Sequence, residues 1–269
     1  MVSKKITFLG TGAADATKYY HSCFYIQDEN IGLLVDAGGG NGILSQLEKA
    51  DIPLENIRHL FVTHKHIDHL FGVFWILRFL GAKIAKEKAE DLTIYAPQSV
   101  IKIIRDIAPI FLKDKVTKLF DGKISFHPID EENEITIGSW TIKPFDLRSE
   151  KEEQYGFRLR FNDGKNIVCL GDEPYKESLL ESCKDTDYLI HNAFCLERDS
   201  ERFKPHNMHH SSVKDACEAA SVTNAKNLIL IHTEDKATFG TRKTAYTEEA
   251  ATYYKGTVIV PDDLEVVAL

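Results

Sequence analysis

Thr63-His64-Lys65-His66-Ile67-Asp68-His69 places three imidazoles and a carboxylate within six consecutive residues, 64 to 69. Upstream, His59-Leu60-Phe61-Val62-Thr63 reads as a short buried strand. Downstream, the run from Leu70 to Leu80 is apolar on nearly every side, which suits a helix buried in a domain. The segment is therefore a strand-to-helix loop, where a rigid scaffold usually holds its chemistry. His64 and His66 lie two apart, so an extended backbone points them the same way. Asp68 and His69 are adjacent, close the loop and face a different side. Two donor pairs facing different ways suit two metal ions better than one. Imidazole nitrogen and carboxylate oxygen suit zinc, iron or manganese. A His-rich solvated loop is the alternative, and the apolar strand and helix on either side argue against it.

Working outward, strands are expected at 6–9, 22–27 and 33–35. Gly10-Thr11-Gly12 forms a turn after the first, and Asp36-Ala37-Gly38-Gly39-Gly40 follows the third. Helices are expected at 43–50 and 99–112, with a strand at 92–96 between them. Lys83 to Lys88 reads as a solvated loop. From Ile124 to Phe161 the pattern becomes short strands, and Asn162-Asp163-Gly164-Lys165 joins the last of them to Ile167–Leu170 as a hairpin. Helices at 176–183, 212–220 and 247–254 then alternate with strands at 188–190, 228–231 and 258–260. No linker, repeat or low-complexity tract interrupts the chain. Two halves, each a sheet with helices, argue for a single α/β domain spanning residues 1–269, with sheets packed face to face and helices outside.

The 269 residues can bury a large core, and the formal net charge of −8 gives no broad basic surface. That balance argues against a long nucleic acid as partner and for a small-molecule substrate; a homodimer stays open. The amino terminus lacks the apolar core of a signal peptide, and no apolar run reaches membrane-spanning length. Five widely spaced cysteines without a close pair read as buried thiols in a reducing compartment. The expected location is the cytoplasm, with no membrane partner.

His64-x-His66-x-Asp68-His69 resembles the HxHxDH signature of the metallo-β-lactamase superfamily. Ile6-Thr7-Phe8-Leu9-Gly10-Thr11-Gly12 resembles its first strand and glycine turn, and Leu33-Leu34-Val35-Asp36-Ala37-Gly38 its strand ending in Asp and Gly. Leu170-Gly171-Asp172, His210-Ser211-Ser212 and Leu230-Ile231-His232 resemble later motifs, so the likeness runs almost end to end. The pattern is most similar to the branch containing ribonuclease Z and related phosphodiesterases. The resemblance implies a four-layer αββα sandwich of the metallo-β-lactamase type. It also implies one or two divalent metal ions, zinc before manganese or iron, held by His64, His66, Asp68, His69, Asp172 and His232. Asp68 and His210 are the implied catalytic groups, with His210 as proton donor. Asp36 either orients a ligand histidine or caps the helix that follows it.

Two departures matter. That branch places a further metal-binding histidine shortly before the Tyr-Gly-Phe-Arg-like strand; here Pro144-Phe145-Asp146-Leu147-Arg148-Ser149-Glu150 has none. The first metal keeps three protein ligands, or Asp146, Glu150 or Glu173 fills the gap, or the first site is empty. Asn192, in Leu189-Ile190-His191-Asn192-Ala193, stands where the nuclease branch has Glu. The expected function is a metal-dependent phosphodiesterase acting on a small phosphodiester. Ribonuclease Z activity is disfavoured because Tyr155 leads straight through one hairpin to Asp172, leaving no tRNA-binding arm. The alternatives are lactone, ester or thioester hydrolysis, or a metal-binding protein with little activity.

Overall fold

The computed structural model describes residues 4–269. They form two compact units, one comprising residues up to 10 with 20–129 and 263–269, the other 11–19 with 130–262.

The first unit is built on a sheet in the order β14-β1-β2-β3-β4-β5-β6. Its strands are β1 (Lys5–Gly10), β2 (Cys23–Asp28), β3 (Ile31–Val35), β4 (His59–Phe61), β5 (Leu92–Ala96), β6 (Ile124–Pro128) and β14 (Val266–Ala268). β1 to β3 pair antiparallel, whereas β3 to β6 pair in parallel, with Val35 opposite Phe61 and Phe61 opposite Tyr95. Parallel strands are buried on both faces, which explains why Leu33-Leu34-Val35 and Leu60-Phe61 read as continuous apolar runs. Helices α1 (Gly42–Lys49), α2 (Ile67–Ile84) and α3 (Gln98–Phe111) cover this unit's core, which includes Leu34, Leu60, Ile76, Leu77, Leu80 and Ile94. α2 is less enclosed than its sequence suggests, because Ile67, Phe71, Trp75 and Phe79 remain 36–60% exposed. It also runs to Ile84, into the interval expected as loop.

The turn after β3 is welded to the first turns of α2. Ala37 N donates to His69 O at 3.0 Å and Gly72 N to Gly38 O at 2.8 Å. The approach is so close that a Cβ on Gly72 would lie 1.8 Å from the Ala37 carbonyl oxygen. Glycine at 72 is thus what lets Asp36, at the end of β3, reach the histidine loop.

The second unit's sheet has the order β13-β12-β11-β10-β9-β8-β7. Its strands are β7 (Ile135–Ile137), β8 (Trp140–Asp146), β9 (Tyr155–Arg160), β10 (Asn166–Cys169), β11 (Tyr188–Asn192), β12 (Asn227–Ile231) and β13 (Thr257–Ile259). β7 to β10 are antiparallel and β10 to β13 parallel. Parallel pairing brings the carboxyl ends of β10, β11 and β12 to one edge, where α/β sheets bind ligands. Asp172, Asn192 and His232 follow or end those strands.

The helix Val213–Val222 opens with a capping box between Ser212 and Asp215. The helix Arg242–Tyr253 starts five residues before the Thr247 expected from apolar spacing, because its first buried residue is an arginine. The helix expected at 176–183 divides into a 3-10 turn, Glu177–Leu179, and an α turn, Leu180–Cys183. No helix of the described residues is long and apolar enough to cross a membrane.

The Gly72 contact gives a direct test. Gly72→Ala is expected to lower the unfolding free energy by about 2–4 kcal/mol, because backbone must shift to admit the methyl group. Gly40→Ala meets nothing within 4 Å and should be neutral or stabilising by up to ~1 kcal/mol. Urea denaturation of both variants checks the pair; equal stability for the two would contradict the weld.

Candidate metal centre

In the first unit, β4 ends just before Thr63, and His66 is the N-cap residue of α2 in an extended conformation. Asp68 then falls in the first helical turn, where the helix dipole favours a carboxylate. His64, Asp68 and His69 are buried and His66 half-buried. His64 Nε2 and His66 Nδ1 lie 2.9 Å apart, and His69 Nε2 lies 3.4 Å from Asp68 Oδ2. The His64 and His69 rings are 4.2 Å apart, so the two donor pairs are neighbours.

Asp36 fixes the orientation of two of these rings. Its Oδ2 accepts from His69 Nδ1 at 2.7 Å and from the Thr63 hydroxyl at 2.8 Å, while Oδ1 accepts from Thr63 N at 2.8 Å. With its proton given to Asp36, Thr63 Oγ1 accepts from His64 Nδ1 at 2.8 Å. Both rings therefore carry the proton on Nδ1 and offer the Nε2 lone pair, the arrangement metal-ligating histidines require. The helix-cap role is not taken, since the N-cap of α1 is Asn41. Thr63 is the link that the sequence reading missed; only its place before His64 could have signalled it. Asp36 itself sits at φ +55°, a left-handed conformation costing a non-glycine residue on the order of 1–3 kcal/mol.

In the second unit, Asp172 follows β10 through Gly171, whose φ is +53°, and His232 follows β12 at φ +58°. Both are buried, and His232 Nε2 lies 3.0 Å from Asp172 Oδ2. Nitrogen donors at about 2.0–2.1 Å on a tetrahedral zinc are about 3.3 Å apart. The 2.9 Å and 3.0 Å separations found here are close to that bite. The donor chemistry thus fits a divalent metal within each group, and in the first group the imposed tautomers fit it as well.

His210 stands beside this second group. Its ring stacks on Phe194 at 5.5 Å and lies 5.0 Å from the His232 ring. Its Nδ1 donates to the Asp172 carbonyl at 3.3 Å. Burial, aided by the neighbouring His232, lowers its pKa to about 4. Asn192 ties the surroundings together, because its amide donates to Glu173 O at 2.9 Å and accepts from Ser211 N at 2.8 Å. A carboxylate at 192 could not donate to Glu173 O, so the departure from Glu is matched by local hydrogen bonding. His191 points its Nδ1 to Asn192 O, and burial lowers its pKa to about 4. His206 is exposed and pairs with Asp215 at 2.7 Å, outside this cluster.

The gap left by the missing histidine is filled by other bonds. Glu173 Oε1 accepts from Ser149 Oγ at 2.7 Å and Gln154 Nε2 at 3.2 Å, and Oε2 faces Lys176 at 3.4 Å. Asp146 accepts from the Arg148 backbone and guanidinium. Two of the three candidate replacement ligands, Asp146 and Glu173, are thus committed elsewhere, and Glu150 is exposed.

The sequence model of the family described as beta-lactamase superfamily domain matches residues 32–233. Ribonuclease Z of Archaeoglobus fulgidus is 24% identical, over 96% of this chain and 95% of its own length. Among solved structures, the metallo-beta-lactamase fold protein YhfI from Bacillus subtilis gives a TM-score of 0.78 at 21% identity, covering 98% of this chain and 99% of its own. The short form of human tRNase Z gives 0.75 at 24% identity, covering 98% of each chain. The fold is the α/β sandwich of the metallo-β-lactamase type expected from the motifs. The inference from net charge to a small-molecule substrate, with long nucleic acid disfavoured, is overturned: relatives matched along nearly their whole length are named as ribonuclease Z. Net charge fails here because it is a sum over the chain and ignores where the acids lie. Glu234 and Asp235, for example, are buried and accept from backbone N–H groups, while Lys18 and Lys236 beside them are exposed. Over most of its length the chain belongs to the beta-lactamase superfamily, as a ribonuclease Z-like member, and is a metal-dependent hydrolase.

Proposed function

We propose that this protein cleaves phosphodiester bonds in RNA by a metal-activated water. In this reading His64, His66, Asp68, His69, Asp172 and His232 would be the donors to one or two divalent ions, with zinc the first choice for the donor set. The observation that carries the reading is the tautomer control by Asp36, which commits both His64 and His69 to donate through Nε2. The sequence likeness to ribonuclease Z supports RNA as the polymer.

Bound divalent ions lower the pKa of a coordinated water to near neutral and offset charge on the phosphate oxygens. Asp68, buried next to His69, accepts the water's proton and orients it toward phosphorus. His210 passes a proton to the leaving oxygen. Burial keeps this imidazole neutral before substrate binds; the anionic phosphodiester beside it then favours the charged, proton-donating form. Phe194 and the Asp172 carbonyl hold the ring in place meanwhile. Five buried cysteines without a disulfide support a reducing compartment, and hence the cytoplasm, as its location.

With no histidine in residues 144–150, one of two ions would have fewer protein donors than the other and is expected to exchange more easily. Exhaustive dialysis followed by elemental analysis should leave fewer than two equivalents of metal. Two tightly retained ions would contradict the weaker site.

His210→Ala is expected to lower turnover by roughly two to four orders of magnitude with metal content unchanged. The loss should shrink for a nitrophenyl phosphodiester, whose leaving group needs little protonation. Steady-state kinetics on both substrates, with metal analysis of the same preparation, checks this. Equal losses on the two would remove the proton-donor role, and loss of metal would make His210 a ligand.

A further inference from the structure

The segment after His232 builds a feature that metal chemistry does not use. Thr233 is bonded through its hydroxyl to Arg242 Nη1 at 2.9 Å, and the same nitrogen reaches Thr11 Oγ1 at 2.8 Å. Arg242 is buried, with Nη2 on Pro261 O at 2.7 Å and Asp262 Oδ1 at 2.8 Å. Its guanidinium carbon lies 3.8 Å over the centre of the Tyr19 ring. Tyr19 in turn meets Phe239 at 5.8 Å, and Lys18 Nζ sits 4.6 Å over the Phe239 ring. Lys18 is held there by its own bond to Asp235 O at 2.9 Å, while the Asp235 carboxylate accepts from the backbone N–H groups of Thr17 and Lys18 at 2.6 Å each. A continuous set of contacts thus runs from the residue after His232 to an aromatic ring.

That ring is not buried. Phe239 is 53% exposed, although a phenyl group without a partner normally turns inward. Its surroundings are sorted by charge. The acids Glu234 and Asp235 are buried and spent on backbone N–H groups, and Lys236 pairs with the exposed Asp15, whereas exposed Lys18 stands over the ring bonded to a backbone carbonyl oxygen. An exposed aromatic face with a fixed cation against it is an arrangement that stacks an unpaired base and meets its phosphate. An apolar partner would not need the lysine, and a phosphate alone would not need the ring.

We infer that Phe239, with Tyr19 and Lys18, is a stacking platform for one unpaired base of an RNA substrate, held in register with the His232 turn by Arg242. The inference rests on RNA being the substrate, as proposed above. It adds that substrate is gripped through a base as well as through its phosphates.

The test uses the metal-loaded protein and a fluorescein-labelled single-stranded oligoribonucleotide with 2′-O-methyl sugars, read by anisotropy. Each position in turn carries an abasic nucleotide. For the wild type, one position should show a loss of affinity of about 5- to 150-fold when its base is removed, the range of one stacked base. In Phe239→Ala that penalty should vanish, and in Phe239→Trp it should persist, which a merely structural role could not produce. Val222→Ala, an exposed apolar position at the end of the helix Val213–Val222, should leave the whole pattern unchanged. A wild type that shows no position-dependent penalty, or a Phe239→Ala variant that keeps it, overturns the platform; RNA cleavage by the same wild type would leave the proposed function standing. A wild type that hydrolyses a nitrophenyl phosphodiester but neither binds nor cleaves RNA overturns both. A change of oligomeric state in Phe239→Ala with RNA binding intact assigns the ring to a protein contact and also overturns it.

Discussion

The chemistry of the first unit depends on one buried carboxylate. Asp36 accepts three hydrogen bonds, from Thr63 N, Thr63 Oγ1 and His69 Nδ1. A buried carboxylate without such partners would cost several kcal/mol, so the three donors are as necessary to Asp36 as it is to them. Direct contact sets His69, and a one-hydroxyl relay sets His64. The left-handed backbone at Asp36 and the Gly72 approach are the structural costs of bringing β3 against the histidine loop. Strain of this kind persists only where neighbouring structure over-determines it. Here the Ala37–His69 and Gly72–Gly38 backbone bonds do so.

The second unit solves the same problem differently. His232 also has a left-handed backbone, but its turn is secured downstream by Arg242. Asp172 is secured through the Asn192 amide, which joins Glu173 to Ser211. One residue thus couples the turn carrying a donor carboxylate to the loop carrying His210. A neutral amide can donate and accept at once, which gives physical sense to asparagine where the nuclease branch has glutamate.

Much of this was legible in the sequence, because the parallel strands are apolar and their ends carry the chemistry. His64, His66, Asp68 and His69 could be read as candidate donors from one loop, whereas Asp172 and His232 became candidates only through the family resemblance of the turns that carry them. What could not be read was polar and non-local. Thr63 is an ordinary hydroxyl until Asp36 is placed 27 residues away in sequence beside it. Arg242 looks like the start of a solvated stretch, yet its guanidinium is buried by partners at Thr11 and Pro261. The helix it begins was accordingly placed too late. Net charge misled for the same reason: composition counts Glu234 and Asp235 but does not show that they face inward.

The central proposal is that these histidines and carboxylates serve as oriented ligands of divalent metal. X-ray absorption at the metal edge, on protein loaded with zinc, tests it most directly. The account predicts nitrogen and oxygen scatterers at about 2.0–2.2 Å with imidazole outer-shell features and, with two ions bound, a second metal at about 3.5–4 Å. A first shell containing sulfur at about 2.3 Å, or one lacking imidazole, would contradict it.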